Sequence, residues 1–272
     1  MDLSGAFLDL VVGRFSPRLR ARIAWRLARR DGDLAPAVVE QLVRPGQVCL
    51  DIGASWGLLT HQLAELAGPG GVVHAFEPNP VNRRSLERIR AGRDSVTIHY
   101  CALSGAPGTA ELRMPRRRGM DVHAMGSISV PGARAGLFVA SVQVETRRLD
   151  DVLGEAVAAV SFVKCDVEGH EEAMLDGAHR LLDEARPAVL IEIEQRHRDT
   201  PVQHTFDRFA EAGYEGYVLG GGSLVPLAKF DVERDQLALI AGGELQPAPP
   251  PGYRNDFLFV RPGTDLGALA RP

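Results

Sequence analysis

The stretch QVCLDIGASWGLLTHQLAELAG, residues 47 to 68, decides the fold. QVCLDIG reads as a buried strand, and LLTHQLAELAG as a helix closed by Gly68. Between them DIGASWG, residues 51 to 57, makes a glycine-bearing turn. A buried strand that runs through such a turn into a helix is the opening unit of an open α/β sheet. The pattern then repeats. GVVHAFEP is a second strand with PVNRRSLERIRAG as its helix, and SVTIHYCALS a third strand followed by TAELRMP. SVQVETRRLDDVL is a strand leading to a short helix near Leu149. VSFVKCDVEG is the fourth core strand, and HEEAMLDGAHRLLDEAR its helix, with Met174, Leu175, Ala178, Leu181 and Leu182 on one face. PAVLIEIEQ is the fifth strand and TFDRFAEAGY an amphipathic helix, while YVLGGGSLVPL and NDFLFVRP supply two late strands. Strands alternating with helices predict a single doubly wound α/β domain.

Outside this core the chain is less regular. The first 30 residues read as one or two short Arg-rich helices, with Leu19, Ile23, Trp25 and Leu27 on one face and Arg18, Arg22, Arg26 and Arg29 opposite. A basic amphipathic helix can lie on a membrane surface, but the preferred reading is a cap packed on the domain. Residues 115 to 141 show no clear period and read as an inserted loop over one end of the sheet. GELQPAPPPGY is a Pro-rich loop. The expected division is therefore an N-terminal extension over 1–45, the main domain over 46–263 and a tail over 264–272.

Composition narrows the classes of function. A hydrophobic content of 45% and a charged content of 24% are ordinary for a globular protein. The net charge of −4 gives no electrostatic case for nucleic acid as partner. Cys49, Cys101 and Cys165 are far apart in apolar runs, so neither a zinc site nor a disulfide framework is expected. No apolar run reaches the roughly 20 residues that span a bilayer, and no leader pattern opens the chain. A cytoplasmic protein with a small-molecule partner is the expectation.

The turn DIGASWG carries the chemistry. Its glycines let the backbone approach a ligand, and the helix behind offers unpaired N–H groups. Twenty residues beyond Gly57, at the tip of the second strand, stands Glu77, placed to bind a ribose. A nicotinamide cofactor fits poorly, because Ala54, Ser55 and Trp56 separate the glycines where G-x-G-x-x-G is needed. GASWG also matches the G-x-S-x-G elbow of a serine hydrolase, with Ser55 as nucleophile and His170 or His197 as base. That reading leaves Glu77 and DVEG without a role and lacks an earlier strand to supply an oxyanion loop. A nucleoside ligand with a cationic tail, such as S-adenosylmethionine, accounts for Asp51, the glycines and Glu77 together.

Four blocks in order, LDIGASWG, HAFEPNPVNRRSLERI, VSFVKCDVEGHEEAMLDGA and PAVLIEIE, give the chain its resemblance to the FkbM family of S-adenosylmethionine-dependent methyltransferases. The resemblance runs from about residue 47 to 195 and implies a seven-stranded, mostly parallel sheet with its last strand antiparallel. It also implies that Asp51, Gly53, Ser55, Trp56 and Gly57 form the methionine and ribose loop, that Glu77 binds ribose, that Pro78 and Asn79 flank the adenosine, and that Cys101 and Ala102 border the adenine. Asp166 would lie beside the reactive methyl. Ser55 and Trp56 stand where the family more often has Asn and an aliphatic residue. The resemblance implies O-methylation, with N-methylation as the alternative and a non-catalytic nucleoside-binding protein as a non-enzyme reading. An alcohol nucleophile needs a base, and Asp166, Glu192, Glu194 and His197 are the candidates. Glu192 and Glu194 alternate along the fifth strand and share a face, where an ion pair with a nearby Arg is the competing role for Glu194. Asp166, Glu192 and Glu194 are also the residues to which Mg²⁺ would bind, though no spacing rule supports the ion. Arg116 to Arg118 read as a solvated cluster or an anion grip.

Overall fold

The computed structural model describes residues 16–117, 120–121, 128, 138–240 and 250–270. Along the chain the strands are β1 (Val48–Ile52), β2 (Val72–Phe76), β3 (Val96–His99), β4 (Ala102–Leu103), β5 (Gly108–Arg117), β6 (Met120–Asp121), β7 (Phe138–Arg147), β8 (Val160–Cys165), β9 (Ala188–Glu192), β10 (Glu215–Gly220), β11 (Ser223–Pro226) and β12 (Asp256–Val260). The helices are α1 (Pro17–Arg30), α2 (Ala35–Leu42), α3 (Leu58–Ala67), α4 (Arg83–Arg90), α5 (Leu149–Leu153), α6 (Glu171–Asp176), α7 (Gln203–Glu211) and α8 (Val232–Asp235).

One sheet runs β11-β10-β12-β9-β8-β1-β2-β3. Its strands β3, β2, β1, β8 and β9 pair in parallel, and β12 pairs antiparallel with both β9 and β10. Each inner strand is buried on both faces, which is why these segments read as near-continuous apolar runs. Side chains alternate between two cores. Leu50, Ile52, Phe257 and Phe259 face Leu149, Met174, Phe206 and Phe209. Cys49, Phe162, Leu190 and Leu258 face Trp25, Val38, Val39 and Leu63. The three cysteines are buried free thiols. Among the described residues no helix is long and apolar enough to cross a membrane.

The doubly wound, mostly parallel sheet agrees with the sequence reading, and five details differ. The sheet has eight strands among the described residues, not seven, because YVLGGGSLVPL folds into two. Gly221 and Gly222, at φ +62° and +78°, make the two-residue turn between β10 and β11, a conformation that favours glycine. SVTIHYCALS breaks after His99, and its last part, β4, joins a second sheet of order β4-β7-β5-β6. In that sheet β5 and β7 pair from Gly108↔Thr146 to Pro115↔Phe138, so both ends of the segment read as a loop are strand. Residues 118–119, 122–127 and 129–137 of it lie outside the described residues, as do 1–15 and most of the Pro-rich loop.

The helix after DVEG stops at Asp176 and is followed by Gly177, where a Cβ would sit 2.1 Å from the Ser104 carbonyl oxygen. This close approach to a distant backbone requires glycine at position 177, and a π-helical turn over Leu181–Ala185 follows. The buried stripe of α1 is Pro17, Ala21 and Trp25, whereas Leu19, expected to be buried, is 49% exposed. The Arg-rich face is engaged by the protein itself. Arg18 donates to the carbonyls of Ile89 and Ala91 at the end of α4, Arg22 pairs with Glu65 and Arg29 with Glu40. Arg18 thereby satisfies carbonyls that a helix C-terminus leaves unpaired.

Candidate functional site

The tips of β1, β2 and β8 are tied together by backbone. Asp166 N–H donates to the Ile52 carbonyl at 2.9 Å, and the Gly53 and Ala54 N–H groups both donate to the Phe76 carbonyl at 3.0 Å. A Cβ on Gly53, at φ +82°, would lie 1.8 Å from the Asp166 carbonyl oxygen. A Cβ on Gly57, at φ +94°, would lie 2.7 Å from Ile89 Cδ1. The turn's glycines thus answer to the protein's own β8 and α4. Ser55 stands at φ +50°, unusual for a non-glycine residue, and its N–H donates to Glu77 Oε2 at 2.7 Å.

Glu77 is buried, 6% exposed. Its Oε1 accepts from the Asn79 N–H at 2.7 Å, and the Asn82 side chain bonds the same carboxylate. Burial raises its pKa, opposed by these hydrogen bonds. A cavity of about 810 Å³, counting space open to solvent, opens beside it. Phe76, Cys101, Ala102, Leu103 and Leu112 give it apolar walls, and Glu77, Pro78, Asn79, Ser55 and Asp166 its polar ones. Burial pushes the Cys101 thiol up to about 11, so it is a neutral wall group.

A second cavity, about 880 Å³ on the same measure, shares Gly53, Ser55 and Asp166 with the first. Its far walls are Trp25 and the α1–α2 connection, and its floor holds Asp51, Lys164, Glu192 and Asp256. Asp51 Oδ2 accepts from Thr60 Oγ1 at 2.5 Å, and burial pushes its pKa up to about 6 against the Thr60 hydrogen bond and Lys164. Lys164 Nζ lies 3.4 Å from Asp256 Oδ1. Burial works against its charge, yet Asp256, Asp166 and Glu192 hold its pKa above the ordinary lysine value. Burial, with Glu168 and Asp256 nearby, pushes Asp166 up to about 7 despite Lys164. Burial and the neighbouring Asp166 and Asp256 raise Glu192 well above the usual carboxylate range, while its Oε1 accepts from Asn255 Nδ2 at 2.5 Å.

The remaining candidates sit elsewhere. Glu194 is buried against Arg196 and accepts from Tyr253 Oη at 2.6 Å. Burial raises its pKa, but His197, Arg196 and these hydrogen bonds carry it below the usual value. His197 Nδ1 lies 2.8 Å from Glu168 Oε2, and its backbone carbonyl packs on Gly169. His170 Nε2 lies 3.0 Å from Ser104 Oγ, and burial lowers its pKa to about 4. Both histidines that the sequence offers Ser55 as a base are therefore engaged with other partners. Glu171 Oε1 accepts from the Gly169 N–H at 2.8 Å and Glu172 pairs with Arg198 at 2.7 Å, so these two carboxylates secure the DVEG turn. Trp56 lines the second cavity with the Arg20 guanidinium 3.9 Å from its ring centroid.

Sequence reasoning missed Asn82, Leu112, Ile128 and Glu168 in the first cavity, offered His170 there only as a base for Ser55, and missed Asp33, Lys164 and Asp256 in the second. Lys164 and Asp256 carried a usable signal, a charge inside or at the start of an apolar strand. Asp33 and Ile128 carried none. Among the described residues no three His, Cys, Asp or Glu side chains gather as a cation-holding group. The Arg116–Arg118 side chains lie outside the described residues.

The first cavity fits a nucleoside on its donor set, since an anchored carboxylate at a strand tip faces apolar walls of base size. The family described as the methyltransferase FkbM domain matches residues 49–215. The 31-O-demethyl-FK506 methyltransferase FkbM of Streptomyces tacrolimicus is 31% identical over 159 residues, which is 50% of this chain and 60% of that protein. The chain thus spans less than two thirds of that relative. A crystal structure of methyltransferase FkbM from Methylobacillus flagellatus KT aligns with 89% of this chain and 54% of its own at 16% identity and a TM-score of 0.49. Fibrillarin of Aeropyrum pernix, crystallised with natively bound S-adenosyl-L-methionine, aligns with 85% of this chain and 73% of its own at 13% identity and a TM-score of 0.43.

Proposed function

The chain belongs to the FkbM family of S-adenosylmethionine-dependent methyltransferases, and from that premise we propose that it methylates a hydroxyl oxygen of a small molecule. The observation that carries this reading is Glu77, anchored by the Ser55 and Asn79 N–H groups at the mouth of an apolar pocket. A carboxylate has about four acceptor positions. Three are taken by Ser55, Asn79 and Asn82, which leaves about one for a ribose hydroxyl. Cys101 and Ala102 would border the adenine, with Pro78 and Asn79 beside it. Gly53 and Ser55 lie on the wall common to both cavities, and Asp51 beyond it would hold the ammonium end.

When bound, the cofactor supplies an electrophilic methyl group: the acceptor oxygen forms the new C–O bond, the C–S pair stays on sulfur, and the hydroxyl proton leaves. The protein must take that proton. Asp166 lines both cavities, and burial pushes its carboxyl up to about 7, the range where a general base works best. Glu192 on the adjacent strand tip is a second acceptor for it. The oxygen as target, rather than nitrogen, is favoured by the name of the Streptomyces relative.

The test is calorimetric titration with S-adenosylhomocysteine and with NADH, on the wild type and on Glu77→Ala. Micromolar binding of the first alone, at least tenfold weaker in the variant (about 1.4 kcal/mol or more), is the expected result. Absence of binding to the folded wild type overturns the reading, and Ser55 would then be probed with an active-site serine reagent.

A further inference from the structure

Helix α1 has two apolar sides. Pro17, Ala21 and Trp25 form its buried stripe. Leu19, Ile23 and Leu27 repeat at the same four-residue spacing, two residues further on. At 3.6 residues per turn they lie about 200° round the helix from that stripe, on the side away from the core. They join none of the apolar clusters formed by the described residues, and Leu19 is 49% exposed. The outer side of a helix that merely caps a domain reads polar, so this row needs another reason.

The arginines around the row supply one. α1 carries six arginines and no acid, and Arg22, Arg26 and Arg30 fall between the three apolar positions. The Arg22 and Arg30 side chains are more than half exposed although Glu65 and Asp31 pair with them. Arg26 is exposed, with no acid as partner among the described residues. Exposed pairs of this kind contribute about 0–1 kcal/mol, so another anion displaces them readily. The charge continues on α4, to whose last carbonyls Arg18 binds α1. Residues 83–93 hold five arginines and one acid, and Val81, just before α4, is 53% exposed. The two segments thus concentrate eleven arginines against one acid in a chain whose net charge is −4.

We propose that the outer face of α1, with the adjoining α4, docks on a lipid bilayer that carries anionic headgroups. Guanidinium groups match phosphate oxygens in planar, bidentate fashion. Leu19, Ile23 and Leu27 then enter the boundary between headgroups and acyl chains, where an amphipathic helix buries its apolar side. A nucleic acid would engage the arginines alone and leave the apolar row in water. The inner side of the same helix carries Trp25, a wall of the second cavity. A docked bilayer therefore lies about one helix diameter, some 10 Å, from that cavity, close to molecules that partition into the membrane.

The intact chain is floated with vesicles of phosphatidylcholine alone and of phosphatidylcholine with about 40% phosphatidylglycerol. Partition onto the anionic vesicles at least about tenfold above the neutral ones, lost as NaCl is raised from about 0.1 to 0.5 M, is the expected result. Arg26→Gln should weaken it about fivefold, the effect of one cation at an anionic surface. Leu19→Asn should weaken it at least about threefold through lost insertion, while Leu19→Phe should bind as the wild type does. Circular dichroism melts confirm that these exposed-site variants fold, and a fluorescein-labelled RNA duplex is titrated in parallel. No preference for anionic vesicles, binding that Arg26→Gln or Leu19→Asn leaves unchanged, or capture of the RNA without the vesicles overturns the proposal. The assay needs neither cofactor nor acceptor, so its failure leaves the methyltransferase reading standing.

Discussion

Gly53 carries no side chain because the Asp166 carbonyl oxygen stands 1.8 Å from where its Cβ would be. An added methyl there must push β8 away from β1 while holding a left-handed backbone. Gly53→Ala is therefore expected to lose more than about 3 kcal/mol, a large value for one methyl group, as read by urea denaturation. Asp166 itself is a test of chemistry. With its carboxyl near 7, the methylation rate of the wild type should fall as pH drops through 7, where the base becomes protonated. Asp166→Asn should lower kcat by about 10²- to 10⁴-fold and flatten that limb, while S-adenosylhomocysteine binds within a few fold. At this scale the sequence told much about the cofactor side and less about the acceptor side. Glu77 could be singled out because strand tips in an open sheet are ligand positions whatever packs around them, whereas Asn79 came only from the family resemblance. Asp33 could not be, because its place on the wall of the second cavity depends on how α1 and α2 dock.

That docking shows what periodicity can and cannot deliver for an element. The helical reading of residues 17 to 30 was sound and Trp25 does pack inward, but Pro17 and Ala21 complete the buried stripe and Leu19, assigned to it, points out. Small residues, not large ones, let α1 approach α3, and a scan for bulky apolar side chains overlooks them. Leu19→Lys should change stability by less than about 0.5 kcal/mol, whereas Trp25→Ala should cost about 3–5 kcal/mol. Thermal melts of the two variants decide between the faces. The same limit explains the helix after DVEG. Its apolar spacing is continuous through Gly177, but the Ser104 carbonyl at 2.1 Å from a Cβ there is a contact from another element, invisible to local pattern. The β10–β11 hairpin, by contrast, was within reach, since a Gly-Gly pair between apolar runs is a turn with a known geometry.

For the molecule as a whole, burying acids beneath the ligand site sets a pH dependence. Asp51 is held at about 6 in the fold, above its ordinary value of 3.8, by burial. The folded state then binds its proton more tightly than the unfolded state. The penalty is absent below about pH 4, grows between 4 and 6 and is complete above, so stability from this group falls as pH rises. The full effect is at most roughly 3 kcal/mol. Asp51→Asn should accordingly raise the melting temperature of the ligand-free protein at pH 8 and leave it nearly unchanged at pH 4. The sheet that carries this strained centre ends, on both sides, in a strand of four residues, β3 at one edge and β11 at the other. β11 closes on Pro226, which has no N–H to offer. A neighbouring copy thus meets a short, donor-poor edge where the six-residue β10 would otherwise lie open. The extra hairpin strand works as a stopper against edge-to-edge aggregation, and a protein that stores unfavourable charge at its centre has particular need of one whenever it partly opens.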